Sequence, residues 1–194
     1  MIKAILLDGD GVTLKQHRYF SDIYAEKNNL SKETIAPFFK GEFILCQKGQ
    51  ADLKEKLQPY LFKWGTNDSI DEFLNKWFTE ETEPDEEVLE ITQRIRNKNT
   101  KCYLATDQER YRAEYVNKVW NFNNKFDGTF YSCDLGHRKS EKEFFEKVIK
   151  RLNLNPEEII YLDDDAENVN VAKELGIKAK VYKNINDLKL LNLT

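Results

Sequence analysis

Short apolar runs alternate with helically spaced apolar residues at the start of the chain and through its second half. Five runs have the length of a buried strand, at residues 3–7, 102–105, 129–132, 159–162 and 178–182. Between them, apolar positions recur every three or four residues, as in Phe144, Phe145 and Val148. Strands that alternate with helices build a parallel sheet covered on both faces. The sequence therefore predicts an α/β fold with a Rossmann-like parallel sheet flanked by helices.

Residues 14–83 show helical spacing and no convincing buried strand. Four helices are predicted there, at residues 19–28, 31–40, 51–63 and 68–79, the last with Asp68 as its N-cap. A small separate core is expected from five aromatic residues: Phe62, Trp64, Phe73, Trp77 and Phe78. The acidic stretch 79–87 is expected to be a solvated linker. The predicted organisation is an α/β core of residues 1–14 and 85–194, with a helical insert at residues 15–84.

Composition and charge exclude several classes of protein. Of the 194 residues, 40% are hydrophobic, which is enough to bury a core, and the net charge of −4 provides no basic field for nucleic acid. No run approaches the roughly 18 apolar residues of a membrane helix. The three cysteines (Cys46, Cys102 and Cys133) form no CxxC pattern, so reduced, structural cysteines in a cytoplasmic protein are expected. Two histidines make a His/Cys zinc site unexpected.

Polar residues follow the predicted strands at the point where each strand ends. The carboxyl ends of parallel strands share one edge of the sheet, and ligands bind there in open α/β folds. Two acid clusters, a hydroxyl and a lysine are therefore expected in one crevice: Asp8 and Asp10, Thr106, Lys139, and Asp163, Asp164 and Asp165.

Several carboxylates in one crevice repel one another unless a cation neutralises them. Oxygen ligands favour a hard ion, and Mg²⁺ is commonly bound by one or two carboxylates together with a phosphate. Thr106 and Lys139 supply a hydrogen-bond donor and a positive charge for phosphoryl oxygens, while Gly9 and Gly11 let backbone N–H groups approach an anion. A carboxylate is also a known nucleophile for phosphoryl groups. The set fits Mg²⁺-assisted phosphoryl transfer through an aspartyl-phosphate.

Four motifs, in order along the chain, resemble those of the haloacid dehalogenase superfamily of hydrolases. They are Leu-Leu-Asp-Gly-Asp-Gly-Val at residues 6–12, Leu-Ala-Thr at 104–106, Gly-His-Arg-Lys-Ser at 136–140 and the acidic stretch at 159–168. The helical insert resembles the cap of the C1 class of this superfamily. Residues 131–139 and 162–168 look most like one branch, the glucose-1-phosphate phosphatases and the N-terminal domain of soluble epoxide hydrolase.

The resemblance implies a role for each catalytic residue. Asp8 would attack phosphorus, and Asp10 would protonate the leaving alcohol and then activate water. Thr106 and the backbone N–H groups after Asp8, at Gly9 and Asp10, would hold the phosphoryl oxygens. Lys139 would offset the negative charge of Asp8 and of the phosphoryl group.

The resemblance also implies a magnesium site. Mg²⁺ would be held by the Asp8 carboxylate, the Asp10 carbonyl and Asp164, with Asp163 acting directly or through a metal-bound water. Asp165 is expected to cap the following helix rather than bind metal.

Several positions depart from the family pattern. Asp107 stands where asparagine is common; it either points away from the phosphate or favours a substrate that carries a cation. Gly9 replaces a larger apolar residue and is expected to leave more room or more flexibility beside the nucleophile. His17, His137 and Arg138 are placed either in the cap cleft or on the ordinary surface.

These observations predict a phosphoric monoester hydrolase, a Mg²⁺-dependent phosphatase acting on a small phosphorylated metabolite such as a sugar phosphate. A phosphomutase of the same superfamily and a non-catalytic phospho-ligand-binding descendant remain as alternatives. Asp10 argues against a dehalogenase, which needs no general acid, and the order of the motifs argues against a signalling receiver domain. No nucleic-acid or membrane partner is expected, and the protein is expected to be a monomer or a homodimer.

Overall fold

Five parallel strands form the central sheet of the molecule. The computed structural model describes residues 1–16 and 18–191. The strands are β1 (Ala4–Leu7), β4 (Lys101–Thr106), β5 (Gly128–Tyr131), β6 (Ile159–Asp163) and β7 (Lys178–Val181), in the order β5-β4-β1-β6-β7. All four neighbouring pairs are parallel. The predicted α/β fold is confirmed, and β1 lies at the centre of the sheet.

Helices cover both faces of the sheet, and successive residues of β1 pack into different hydrophobic clusters. Ile5 and Leu7 pack in one cluster, and Ala4 and Leu6 pack in the other, as the alternation of side chains along a strand requires. The first cluster includes residues of α6 (Glu86–Arg96), α7 (Arg110–Val119), α8 (Phe122–Lys125) and α12 (Ile185–Leu191). The second includes residues of α9 (Ser132–Leu135), α10 (Lys142–Leu152) and α11 (Ala166–Glu174).

Five further helices lie between β1 and α6 in the chain. They are α1 (Phe20–Lys27), α2 (Lys32–Lys40), α3 (Glu42–Gln47), α4 (Leu53–Trp64) and α5 (Ile70–Glu80), called the insert below. The insert has its own aromatic cluster, in which Trp64, Phe73 and Trp77 are buried. The prediction for Phe62 is wrong, because its side chain is 87% exposed. The predicted division into residues 1–14 with 85–194 and residues 15–84 includes His17 and residues 192–194, which lie outside the described residues.

A two-stranded ribbon connects the insert to the sheet. Strand β2 (Leu14–Gln16) pairs antiparallel with β3 (Thr82–Pro84). The prediction of a strand-free segment and a solvated linker is therefore wrong at these residues. Three-residue strands are too short to show a periodicity. Thr82 is buried, and its hydroxyl accepts a hydrogen bond from Arg112 of α7.

Helix boundaries follow the capping chemistry. Helix α5 is capped by Ser69, not by Asp68, because Ser69 and Glu72 form a reciprocal capping box. Asp165 caps α11, as expected, by accepting a hydrogen bond from the Glu167 N–H. The short helices α3, α8, α9 and α12 were not predicted, since four to seven residues show little helical spacing. Within residues 1–16 and 18–191, no helix combines the length and apolar character needed to cross a membrane.

Candidate active site

The loop after β1 holds Asp8 in a fixed position at the edge of the sheet. The Asp8 N–H donates to the Leu162 carbonyl of β6 at 3.0 Å. The Thr13 hydroxyl donates to the Asp8 carbonyl at 2.8 Å, and the Thr13 and Leu14 N–H groups both donate to the Gly9 carbonyl at 2.9 Å. These bonds close a tight turn behind Asp8, whose side chain is buried.

Lys139 joins two carboxylates in the centre of the site. Its Nζ lies 2.5 Å from Asp8 Oδ1 and 2.7 Å from Asp163 Oδ2, and all three side chains are buried. Burial and the nearby charge of Asp163 raise the pKa of the Asp8 carboxyl, although Lys139 lowers it. Burial alone would lower the pKa of the Lys139 ammonium, but the charges of Asp8 and Asp163 raise it, so this lysine stays positively charged.

The Asp163 carboxylate has a partner for each of its oxygens. Its Oδ2 accepts hydrogen bonds from Lys139, from the Tyr161 hydroxyl and from Asn168 Nδ2, the last at 3.2 Å. Its Oδ1 accepts the Asp165 N–H at 2.7 Å. Asp163 therefore fixes the position of Lys139. Sequence reasoning missed Tyr161, although period-two alternation along β6 places it on the same face as Asp163.

Gln108 holds Asp10 through one of its two carboxylate oxygens. Gln108 Nε2 donates to Asp10 Oδ2 at 2.8 Å and to the Thr106 hydroxyl oxygen at 3.3 Å. Asp10 Oδ1 is buried and has no hydrogen-bond partner among the residues that the structure describes. Gln108 was also missed by the sequence analysis; its position two residues after Thr106, at the end of β4, was the available signal.

Asp107 binds the loop that carries Lys139. Its Oδ1 accepts the Lys139 N–H at 2.9 Å, and its Oδ2 accepts Arg138 Nε at 3.3 Å. Burial raises the pKa of Asp107, while the charges of Lys139 and Arg138 lower it. The Asp107 carboxylate thus binds neighbouring groups of the chain itself. His137 Nδ1 lies 3.1 Å from Glu141 Oε2. His17 falls outside the described part of the chain.

Gly9 does not leave spare room beside Asp8. A Cβ atom at this position would lie 2.6 Å from the Thr106 hydroxyl oxygen, closer than any ordinary contact. The expectation of extra space is wrong because Thr106 fills it. Glycine at this position allows the Thr106 hydroxyl to lie next to the loop that carries Asp8.

Three carboxylates form a group that could hold a metal ion. Oxygen atoms of Asp8, Asp163 and Asp164 all lie within 4.8 Å of one another. Gly11 has a φ of +82°, and a Cβ there would lie 2.3 Å from Asp164 Oδ2. The glycine therefore gives Asp164 room to approach the loop. A donor set made only of carboxylate oxygens suits a hard divalent cation such as Mg²⁺.

Two adjoining cavities open onto these residues. The small cavity has a volume of 190 Å³, and its lining includes Asp8, Thr106, Lys139 and Asp164. The large cavity has a volume of 570 Å³ and is lined by residues of the insert and of the sheet edge. Asp10 lines both cavities, so it lies where they meet.

Two largely buried glutamates line the large cavity and are expected to make stability pH-dependent. Burial raises the pKa of Glu81 and of Glu109 to about 7. An unfolded glutamate has a pKa of about 4.3, so the folded protein binds more protons between about pH 4.3 and 7. The free energy of unfolding should therefore fall across this window as pH rises, by an amount on the order of a few kcal/mol.

Urea unfolding at pH 5, 6 and 7 measures this loss of stability. The Glu81→Gln/Glu109→Gln double variant should lose less stability than the wild type across the same range. Other titrating groups are common to both proteins, so the difference in slope isolates the two glutamates. Equal slopes would show that the two carboxyl groups titrate near their ordinary pKa.

Comparison with known proteins identifies the family of the chain. Residues 2–176 match the family model described as haloacid dehalogenase-like hydrolase. The chain belongs to this family of enzymes. A haloacid dehalogenase family enzyme from Bacteroides thetaiotaomicron, solved with magnesium and inorganic phosphate, superposes with a TM-score of 0.81 at 23% identity, over 94% of this chain and 95% of that one. That likeness shows the shared fold.

Curated relatives include several phosphatases. The phosphorylated carbohydrates phosphatase of Thermotoga maritima is 23% identical over 202 residues, which cover 98% of this chain and 90% of the relative. The D-ribitol-5-phosphate phosphatase of B. thetaiotaomicron is 32% identical over 34% of this chain and 32% of the relative. The chain spans 48% of the length of a sesquiterpene phosphatase from Aspergillus oryzae, at 28% identity. The narrower resemblance to glucose-1-phosphate phosphatases and the N-terminal domain of soluble epoxide hydrolase stays a prediction.

Proposed function

We propose that the protein is a Mg²⁺-dependent phosphatase that hydrolyses a small phosphomonoester, such as a sugar phosphate, through an aspartyl-phosphate. The observation that carries this proposal is the arrangement of Asp8, Lys139 and Asp10 around the small cavity. One buried ammonium contacts the nucleophile, and a second carboxylate lies where the two cavities meet, with one oxygen that has no partner among the described residues.

In the first step, an Asp8 carboxylate oxygen forms a bond to phosphorus as the bond to the alcohol oxygen breaks. Lys139 offsets the negative charge of Asp8 and of the phosphoryl group, and the Thr106 hydroxyl donates a hydrogen bond to a phosphoryl oxygen. The Gly9 and Asp10 N–H groups belong to the same loop and are proposed to hold the phosphoryl oxygens as well. In the structure, the Gly9 N–H donates to Asp8 Oδ1 at 2.6 Å.

Asp10 moves the protons in both steps. Its Oδ1, free of partners within the described residues, gives a proton to the leaving alcohol oxygen. In the second step Asp10 takes a proton from the water that attacks phosphorus, and Asp8 is released. Gln108 keeps the other oxygen in place throughout.

Mg²⁺ would be held by the carboxylates of Asp8 and Asp164 and by the Asp10 carbonyl, and when bound it would supply Lewis-acid stabilisation of the phosphoryl oxygens. Asp163 also lies close to the carboxylates of Asp8 and Asp164, but its oxygens already accept four hydrogen bonds. We therefore propose that Asp163 acts on the site chiefly by fixing Lys139.

The insert is proposed to act as a cap, with the predicted limits of residues 15–84. It contributes several of the residues that line the large cavity, among them Phe39, Trp77 and Glu81. A wall over the site excludes water during the first step and selects the alcohol half of the substrate. Two relatives are a phosphorylated carbohydrates phosphatase and a D-ribitol-5-phosphate phosphatase, which supports a small polar phosphomonoester as the substrate.

Phosphate release from a panel of sugar phosphates, phosphoglycolate and an aryl phosphate, with Mg²⁺ and with EDTA, tests the proposal. We expect turnover of at least one substrate with Mg²⁺ and its loss in EDTA, with recovery when Mg²⁺ is added back. No release from a folded protein that binds Mg²⁺ would contradict the phosphatase and favour a mutase or a binding protein. Those two are separated by adding a sugar bisphosphate, which only a mutase uses to interconvert sugar monophosphates.

A further inference from the structure

The insert contributes an aromatic corner to the large cavity. The ring centroids of Phe39 and Trp77 lie 5.3 Å apart, those of Phe43 and Trp77 5.1 Å apart, and those of Phe39 and Phe43 5.7 Å apart. The corresponding planes are inclined by 75°, 46° and 69°, so the three rings do not form a flat stack. All three residues line the cavity. Aromatic rings that line a pocket can attract a cation that comes within about 6 Å of a ring centroid.

Glu81 lies beside this corner and forms hydrogen bonds with two N–H groups. Its Oε2 accepts the Trp77 indole N–H at 2.9 Å and its Oε1 accepts the Phe20 N–H at 3.0 Å. Within residues 1–16 and 18–191, no lysine or arginine forms an ion pair with it. Burial and the charge of Asp10 raise its pKa to about 7. A buried carboxylate of this kind gains more from a positive ligand than a solvated one does.

The positive charges that line the same cavity are engaged elsewhere or exposed. Arg112 donates to the Phe78 carbonyl at 2.6 Å and to the Thr82 hydroxyl. Its charge lowers the pKa of Glu81 by less than burial raises it. Arg138 pairs with Asp107 at 3.3 Å. Lys40 is exposed to solvent. None of these cations neutralises Glu81 directly.

We propose that the alcohol half of the substrate carries an organic cation, an ammonium or quaternary ammonium group, which binds against Phe39, Phe43, Trp77 and Glu81. This inference rests on the proposed phosphatase function and narrows its substrate class. The substrate is then positive at one end and negative at the phosphate, matching the carboxylate of the large cavity and the lysine of the small one. An amino alcohol phosphate and an amino sugar phosphate both belong to this class.

Two pairs of substrates, each differing in the charge of the alcohol half, test the inference. Choline phosphate is compared with 3,3-dimethylbutyl phosphate, its uncharged carbon isostere, and glucosamine 6-phosphate with glucose 6-phosphate. In at least one pair, we expect kcat/KM to be about tenfold higher for the cationic member, the size expected for a partly desolvated cation–π contact with an added carboxylate. A ratio of one or below in both pairs would overturn the inference, while turnover of the neutral members would leave the phosphatase function standing.

The Glu81→Gln variant locates the effect within the protein. It should reduce the ratio of the two kcat/KM values toward one, because the amide keeps the size of the side chain and removes its charge. Glu80→Gln is the matched control, since Glu80 pairs with Lys27 and does not line the large cavity. An unchanged ratio in folded Glu81→Gln would remove Glu81 from the site.

Inhibition of the wild type gives a readout that needs no variant. Choline should inhibit hydrolysis of a neutral substrate more strongly than 3,3-dimethylbutanol does. Equal inhibition by the two alcohols would show that shape, not charge, governs binding in this cavity. Absence of turnover with every substrate, neutral or cationic, would instead count against the phosphatase function itself.

Discussion

Asp8→Asn is expected to abolish phosphate release while leaving the protein folded. The amide has almost the size of the carboxylate but cannot serve as the nucleophile, so turnover should fall by at least about a thousandfold. The variant should also be as stable as the wild type at pH 7 without metal, or more stable. Burial and the charges of Asp163 and Asp10 together disfavour the ionised Asp8 more than Lys139 favours it, and the neutral side chain removes this net cost.

Phosphate release and thermal unfolding of the same preparation measure both effects. Lys139 keeps its contact with Asp163 at 2.7 Å in the variant, so the lysine retains a buried counter-charge. Asp71→Asn is the matched control, because Asp71 has a side chain that is 76% exposed on the insert. In the wild type, mass analysis after acid quenching should find the phosphoryl group on the peptide that contains Asp8. More than a few per cent of wild-type turnover in Asp8→Asn would place the nucleophile elsewhere.

The sheet and the central charges of the site could be predicted because they depend on local patterns. Strands buried on both faces are continuous apolar runs, and topology brings the residue after each run to one edge. Asp8 and Lys139 are 131 positions apart in the chain but 2.5 Å apart in the fold, and the shared edge of a parallel sheet was enough to predict that they lie in one crevice. The turn glycine at position 11 was likewise visible in the sequence.

The remaining features depend on pairings that no local pattern specifies. The ribbon of β2 and β3 joins segments almost 70 residues apart, and each strand has only three residues. Gln108 contacts Asp10 because β1 and β4 are neighbours, and neither residue type signals that bond. The sequence left two interpretations of Asp107 open. Its carboxylate accepts hydrogen bonds from Lys139 and Arg138, and these contacts depend on how two loops pack. Phe62 has an apolar side chain of the kind that usually packs in a core, but it lies on the exposed face of α4.

Asp10→Asn is expected to slow hydrolysis according to how much the leaving group needs a proton. With an alkyl phosphate, loss of the general acid should lower kcat by about 10²–10⁴-fold. With 2,4-dinitrophenyl phosphate the leaving phenolate needs no proton, so the first step should keep most of its rate. Water attack on the phosphoenzyme still needs Asp10 as the base. The variant should therefore release a burst of dinitrophenolate, at one equivalent per enzyme, followed by slow turnover.

Rapid mixing of Asp10→Asn with the activated ester measures the burst, and steady-state assays with an alkyl phosphate measure the larger loss. Gln108→Leu is the informative comparison, because it removes the 2.8 Å hydrogen bond to Asp10 Oδ2 and leaves the carboxyl group. Its loss should be smaller than that of Asp10→Asn and should not produce a burst of the same size. Equal slowing of both esters in Asp10→Asn, without a burst, would mean that Asp10 orients the Asp8 loop and donates no proton. The unpartnered Oδ1 of Asp10 predicts the opposite result, since a buried oxygen without a partner in the described residues is available to hold the transferred proton.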